Sequence, residues 1–244
     1  MRYKRLLFLI AALFSFALAS VAAQDTPATT EEPAVTEAPA NPEAVVTGPS
    51  VATGLNNPRH IFFASDGTLY IAEAGQGGDV DAQGPFGPVK AGQTAQVSAV
   101  APDGAQSVVI PELVSMDAGF GQIEGPTSLV VTDDSYWVAL GMGTIEPIVE
   151  GALAEAVVQI DKESGEVLQT IDLRAFESDN NPDTGAEVVS NPADLALGED
   201  GTVYIADASG NSLLTWTEAD GLQLFAFWPV SDDEPQSVPT SVAI

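Results

Sequence analysis

NPRHIFFASDGTLYIAEAG (57–75) and NPADLALGEDGTVYIADASG (191–210) are two copies of one pattern. Their shared core is Asp66-Gly67-Thr68-Leu69-Tyr70-Ile71-Ala72-Glu73 against Asp200-Gly201-Thr202-Val203-Tyr204-Ile205-Ala206-Asp207. A degenerate middle copy, GPTSLVVTDDSYWVALG (125–141), carries Trp137 where the others have tyrosine. Pro58, Pro126 and Pro192 precede the three turns by seven or eight residues, and Pro239 opens a fourth copy in VPTSVAI (238–244). Within each copy a short apolar run, a polar turn and a second apolar run describe one β-hairpin, with Asp-Gly at the turn of the first and third.

A second hairpin follows each of the first three. AQVSAVAPDGAQSVVIPEL (95–113) turns at Asp103-Gly104, AVVQIDKESGEVLQTIDL (156–173) at Ser164-Gly165, and SLLTWTEADGLQLFAFW (212–228) at Asp220-Gly221. Four short strands per unit, repeated, predict an all-β chain: a β-propeller of four-stranded blades, with three full blades and the start of a fourth. A β-sandwich also has many short strands, but nothing in a sandwich requires an octet to recur nearly residue for residue. In a blade packed between neighbours the inner two strands are buried on both sides, so Ile-Phe-Phe-Ala and Tyr-Ile-Ala read as continuous apolar runs. Closed propellers have about four to eight blades. The expectation is therefore a chain that continues beyond Ile244, with residues 51–55 placed where the outermost strand of a last blade would lie.

Upstream of the repeats, residues 1–23 have a signal-peptide layout: Arg2, Lys4 and Arg5, an apolar run from Leu6 to Ala19, and small residues ending at Ala23. Residues 24–49 form a spacer rich in Pro, Thr and Glu, too poor in large apolar side chains to offset the entropy of ordering. The propeller domain is then 50–244, and the expected location is secreted or extracytoplasmic.

The whole chain has 244 residues, 35 Asp plus Glu against 7 Lys plus Arg, one histidine and no cysteine. Lack of cysteine removes disulfides, thiolate catalysis, zinc-thiolate sites and a lipid-anchored cysteine. The formal charge of −28 disfavours nucleic acid and anionic lipid as partners. Loss of residues 1–23 would leave 35 acids against Arg59, Lys90, Lys162 and Arg174, a formal −31. Many of these acids stand in turns, where they act as a solvating shell.

NNPRHIFFASDGTLYIAEAGQGG (56–78), GPTSLVV with YWVALGMG, and VPTSVAI resemble the secreted ScyD/ScyE family, associated with biosynthesis of the extracellular pigment scytonemin. More loosely, residues 191–211 look like an NHL repeat. The resemblance covers about 50–244 and implies a six-bladed type of propeller that is exported. It implies no reaction, since fold does not fix function. The family's Gly-Leu-Gly after the middle blade is Gly141-Met142-Gly143 here, so a ligand contact there does not carry over.

Two functional readings follow. The first is a non-catalytic module that binds a small molecule or protein through its blade-end loops, with no certain cofactor. The second is a calcium-dependent lactonase or hydrolase, suggested by Glu124-Gly125-Pro126, which resembles the Glu-Gly-Pro entry of the gluconolactonase propellers. Its metal ligands would be Glu124, Asn191 and Asp207. Asp179, Asn181 and Asp183 in SDNNPDTG, and Asp79 with Asp81 in the Gly-rich loop 75–87, supply further hard oxygen donors of the kind calcium takes. Neither stretch matches an EF-hand loop, and both also read as solvated acidic loops. Glu73 and Asp207 close equivalent strands whose middle counterpart is Leu140, which argues for turn-stabilising acids rather than a symmetric metal ring. His60 sits at a strand entrance, and no nucleophile elbow accompanies it.

Overall fold

The computed structural model describes residues 50–185, 187–230 and 237–244. The signal-peptide and spacer readings concern residues outside that set. Its strands are β1 Pro58–Phe63, β2 Leu69–Glu73, β3 Val80–Gly84, β4 Gly87–Val100, β5 Gln106–Gly119, β6 Gln122–Glu124, β7 Pro126–Val131, β8 Ser135–Leu140, β9 Ala156–Asp161, β10 Val167–Asp172, β11 Pro192–Leu197, β12 Val203–Asp207, β13 Ser212–Thr217 and β14 Gly221–Phe227. One helix, α1 Leu173–Asn180, follows β10. The strands form three antiparallel sheets: β1-β2-β4-β5-β6 with β3 on β4, then β10-β9-β8-β7, then β11-β12-β13-β14. The inner strands β1, β7 and β11 lie side by side, with β7 touching both of the others. These are three neighbouring blades of a β-propeller.

The packing follows from the second strand of each blade. In β8 every residue is buried, and its two faces serve different neighbours. Tyr136, Val138 and Leu140 join Leu129, Val158, Tyr70, Val97 and Ile110 in the core between the first two blades. Trp137 and Ala139 point the other way, into a core with Leu195, Val203, Ile205 and Leu214 of the third blade. Period-two geometry sends alternate side chains to opposite faces, so a strand with two apolar neighbours must be apolar throughout. Aromatic pairs mark both seams: Tyr70 meets Tyr136 edge-on at 5.8 Å between ring centres, and Trp137 meets Trp216 at 5.8 Å. Lys162 lies over both tyrosine rings, 5.8 and 5.4 Å from their centres.

Several expectations need correction. The first sheet has six strands rather than four, because β4 and β5 run on for 14 residues each and carry β3 and β6 beyond the blade. The 75–87 segment is therefore largely the β3–β4 hairpin, in which Asp81 pairs with Lys90 at 2.7 Å, both on the surface, and Asp79 is exposed. Strand β1 is not buried on both sides: Ile61 and Phe63 are 57% and 67% exposed on the free face of the first blade. Residues 51–55 form no strand. Ala52 and Leu55 instead cover part of that free face around Leu69, Ile71 and Val100, and Thr53 exchanges two hydrogen bonds with Gln106. VPTSVAI forms no strand among the described residues.

Helix α1 was hidden because a carboxylate occupies its buried face. Asp172 caps it by accepting from the Ala175 N–H at 2.9 Å, and Asn181 ends it in the left-handed region at φ 37°. Leu173 and Glu177, one turn apart, are its buried residues. The second of these breaks the apolar stripe that a sequence reader looks for.

Leu129, fully buried at the first seam, is expected to lose about 2–5 kcal/mol of stability when changed to alanine, by lost burial plus a cavity. Phe63→Ala, on the free face, is expected to stay within about 0.5 kcal/mol. Urea unfolding curves of the two variants measure the contrast.

Candidate functional site

The two ends of the blades differ. At one end lie the short turns 64–68, 101–105, 132–134, 161–166, 198–202 and 217–221. Asp66, Asp103 and Asp200 each accept a backbone N–H from the residue two places on, at 2.9–3.0 Å. Such bonds favour the charged form, and they hold the Asp66 and Asp200 carboxyls below the usual range. At the other end, where β1, β7 and β11 begin, lie the long excursions of the described residues: β3 with the start of β4, the tail of β5 with β6, residues 141–155, and α1 with residues 181–185 and 187–191. Close backbone approach knits this end together. A Cβ on Gly125 would meet the Ala74 carbonyl oxygen at 2.6 Å, which is reason enough for glycine in Glu124-Gly125-Pro126.

Glu73 and Asp207, the acids closing β2 and β12, are both buried and play parallel parts. Glu73 accepts from the Asn56 N–H at 2.6 Å and from Ser98 Oγ and Gln96 Nε2. Asp207 accepts from the Asn191 N–H at 2.8 Å, the Gly210 N–H at 3.1 Å and Ser190 Oγ at 2.5 Å. Each thus ties the end of a second strand to the chain entering the first strand of its blade.

Asn191 and Asp207 are therefore adjacent, but the Asn191 side-chain oxygen accepts from the Met142 N–H at 3.0 Å. Glu124 lies on β6, accepts from Gln122 Nε2 at 2.9 Å, and lines a cleft of about 270 Å³ with Phe86, Met116 and Met142. In the second proposed set, Asp179 is exposed on α1 while Asn181 caps that helix. Asp183 is buried, accepting from the Gly185 N–H at 2.8 Å and from Asn211 Nδ2 at 2.5 Å. Among the described residues, no three Asp, Glu or His side chains are gathered closely enough to hold a metal ion by themselves.

The axis holds a further cluster of polar side chains. Counting from the proline of each copy, His60, Ser128, Asp194 and Ser241 occupy the same place. Because β1, β7 and β11 adjoin, the structure brings them together: Ser128 Oγ donates to Asp194 Oδ1 at 2.7 Å, and His60 Nε2 lies 3.8 Å from the same oxygen. Ser241 Oγ and the Val242 N–H donate to Asp194 Oδ2 at 3.0 and 3.1 Å. Serine, histidine and aspartate meet here without forming a nucleophilic triad, since the hydroxyl is bonded to the carboxylate and not to the imidazole. Burial lowers the His60 pKa, opposed by the Asp194 charge, so the ring favours its neutral form. Superposing the copies on their prolines would have revealed the cluster.

A cleft of about 510 Å³ opens at the loop end between the β3–β4 tip and the segment after α1. Pro85, Phe86, Ile145 and Val188 supply apolar walls, with Phe86, Ile145 and Val188 exposed. Its floor is an ion pair. Arg174 Nε and Nη2 bond Glu155 Oε2 and Oε1 at 3.0 and 2.6 Å, and Nη1 bonds the Ile145 carbonyl at 2.8 Å. Glu155 is buried at a positive φ of 52°, its carbonyl accepting from the Leu173 and Arg174 N–H groups at the start of α1. The guanidinium has five N–H donors, so some remain for a molecule in the cleft.

No family model matches the chain, and no curated protein matches it. Among solved structures, a catalytically inactive virginiamycin B lyase from Staphylococcus aureus with quinupristin is similar at 14% identity and a TM-score of 0.41, over 78% of this chain and 46% of that chain. The selenomethionine-substituted lyase from the same organism is similar at 13% identity and a TM-score of 0.30, over 76% of this chain and 73% of that one. The computationally designed Ika8 protein gives 14% identity and a TM-score of 0.27, over 77% of this chain and 65% of its own. The chain thus spans about half the length of the first of these.

Near the cleft floor, burial, and then the charges of Asp207 and Asp183, push the Glu177 carboxyl up to about 7 from 4.5. Between those values the folded chain holds a proton that the unfolded chain has released. Stability in a chelating buffer is therefore expected to fall as pH rises from about 4.5 through 7, by about 2 kcal/mol after allowance for solvent screening. Asp207, also raised by burial, acts in the same direction. Unfolding free energies across that range should flatten in Glu177→Gln.

Proposed function

We propose that the protein is an exported acidic β-propeller of ScyD/ScyE type that binds its ligand non-catalytically, through the long loops at one end of the blades. The observation that carries this reading is the cleft between the β3–β4 tip and α1, where Phe86, Ile145 and Val188 surround the paired Arg174. Apolar walls with a few convergent polar groups are the usual make-up of a small-molecule site, and a rigid sheet scaffold with variable end loops is the usual place for one. The chemistry of this cleft suits a flat apolar or aromatic molecule that presents an acceptor to the free N–H groups of Arg174. Export is supported by the signal-peptide layout of residues 1–23, and the acidity keeps an exposed surface soluble. Among the described residues no helix is long and apolar enough to cross a membrane.

The reading is checked by equilibrium dialysis of the purified chain against a panel of aryl carboxylates, beside assays of lactone and ester hydrolysis with and without calcium. Saturable binding is expected, weakened at least tenfold by Phe86→Ser, with no turnover. Binding indifferent to Phe86→Ser, or hydrolysis above background, would overturn it. Phe86 is a surface residue, 66% exposed, so its replacement leaves the blades intact.

A further inference from the structure

Behind the cleft, three carboxylates are buried without a salt-bridge partner among the described residues. Glu177 is 2% exposed, Asp183 2% and Asp207 1%, on α1, on the segment after it and on β12 respectively. The nearby Arg174 is engaged by a fourth buried acid, Glu155. Two of the carboxylates converge: the position a Cβ would take on Gly210 lies 3.0 Å from Glu177 Oε2 and 3.1 Å from Asp207 Oδ2. Glycine at that position leaves the space between them open.

A second observation concerns neutral atoms. Among the described residues, five buried side-chain polar atoms lack a hydrogen-bond partner, and four of them belong to two abutting segments: Glu177 Oε1, Asn181 Oδ1, Asn211 Oδ1 and Ser212 Oγ. Asn211 and Ser212 are fully buried. The segments are joined by the bond from Asn211 Nδ2 to Asp183 Oδ2, and Ser212 stands opposite Asp207 across the β12–β13 ladder. All four atoms are oxygens. Each Asn amide already spends its N–H side, on Asp183 and on the Gly185 carbonyl, so its oxygen faces inward with nothing donated to it. Leaving one such acceptor unpaired costs about 1–3 kcal/mol, and four on two joined segments amount to a demand for something electropositive.

We propose that this pocket between α1 and the β12–β13 connection is a calcium-binding site, with Glu177, Asn181, Asn211 and Ser212 as oxygen ligands and Asp183 and Asp207 as flanking charges. The donor set is all hard oxygen, mixes carboxylate with amide and hydroxyl, and is spread over a helix, its C-cap and the β12–β13 turn, which suits the flexible coordination of calcium better than the strict octahedron of magnesium. It accords with the lack of any three chelating acids, because most of the direct ligands are neutral. The bound ion would fix α1, and with it Arg174 on the floor of the cleft. The site stands whether or not the cleft binds an aryl carboxylate.

The test uses the purified chain stripped with chelator at pH 7.5, with calcium chloride alone as the probe and sodium chloride and magnesium chloride at matched ionic strength as controls. Calcium is expected to raise the melting temperature by several degrees more than either control, with a Kd on the order of 10⁻⁴–10⁻³ M, as for extracellular calcium modules. One ion per chain should remain after gel filtration in calcium, and proteolytic cutting within 177–190 should slow. Glu177→Gln and Asn211→Ser should each lose the calcium-specific shift, while Asp179→Asn, on the exposed side of α1, should keep it. An equal response to sodium, magnesium and calcium would show charge screening only and overturn the proposal. So would a calcium shift that survives in Glu177→Gln, while a variant that fails to fold is replaced by the Asn211→Ser comparison.

Discussion

Burial of the second strand of each blade on both of its faces is the constraint on which the rest of this structure depends. In β8 it is satisfied completely: Tyr136, Val138 and Leu140 serve one neighbour, Trp137 and Ala139 the other. A sheet in that position has no polar face to spare, so the blades can meet only face to face, and their inner strands are drawn side by side around a common axis. The outer blades show the constraint half met. Ile61 and Phe63 on the first, and Phe225 on the third, remain exposed where no further sheet covers them.

Face-to-face packing also fixes where function can reside. The interiors of the blades are committed to packing, and the tight-turn end is committed to acids that bond their own backbone. Freedom is left at the opposite end, where the connections run long and carry both the β3–β4 hairpin and α1. There the buried acids have two kinds of task. Glu73 and Asp207 hold strand ends to the entering chain, while Glu155 anchors Arg174 beneath the apolar cleft. Glu177 has no such donor for its Oε1, and this sets it apart from the acids that merely close a turn.

How much of this was legible follows from the range of each interaction. The strands, their order and the turn positions could be read because hairpins are local: Asp-Gly turns and short apolar runs encode them within about twenty residues. β3 and β6 could not, because VDAQG (80–84) and QIE (122–124) have no apolar pattern and pair only as riders on the overlong β4 and β5. Helix α1 was masked by the buried carboxylate of Glu177. Of the site residues chosen from sequence, Asn191 and Asp207 are neighbours, Asp183 lies close to Asn211, Glu124 lines a cleft with Met142, whose N–H bonds Asn191, and Asp179 stands on an exposed helix face.

By itself, then, the sequence determined the repeated four-stranded unit, the acidic turns and the apolar second strands, since all of these follow from side-chain periodicity along one segment. Only the tertiary structure decided which residues meet across blades. His60, Ser128 and Asp194 are 68 and 66 residues apart in successive steps, yet they converge because each sits two places after the proline of an inner strand. Glu177 and Asn211 likewise belong to different elements, brought together when α1 folds down over the β12–β13 connection. A charge count weighs every acid alike. Desolvation does not, and only packing decided which few carboxylates of the 35 acids left water.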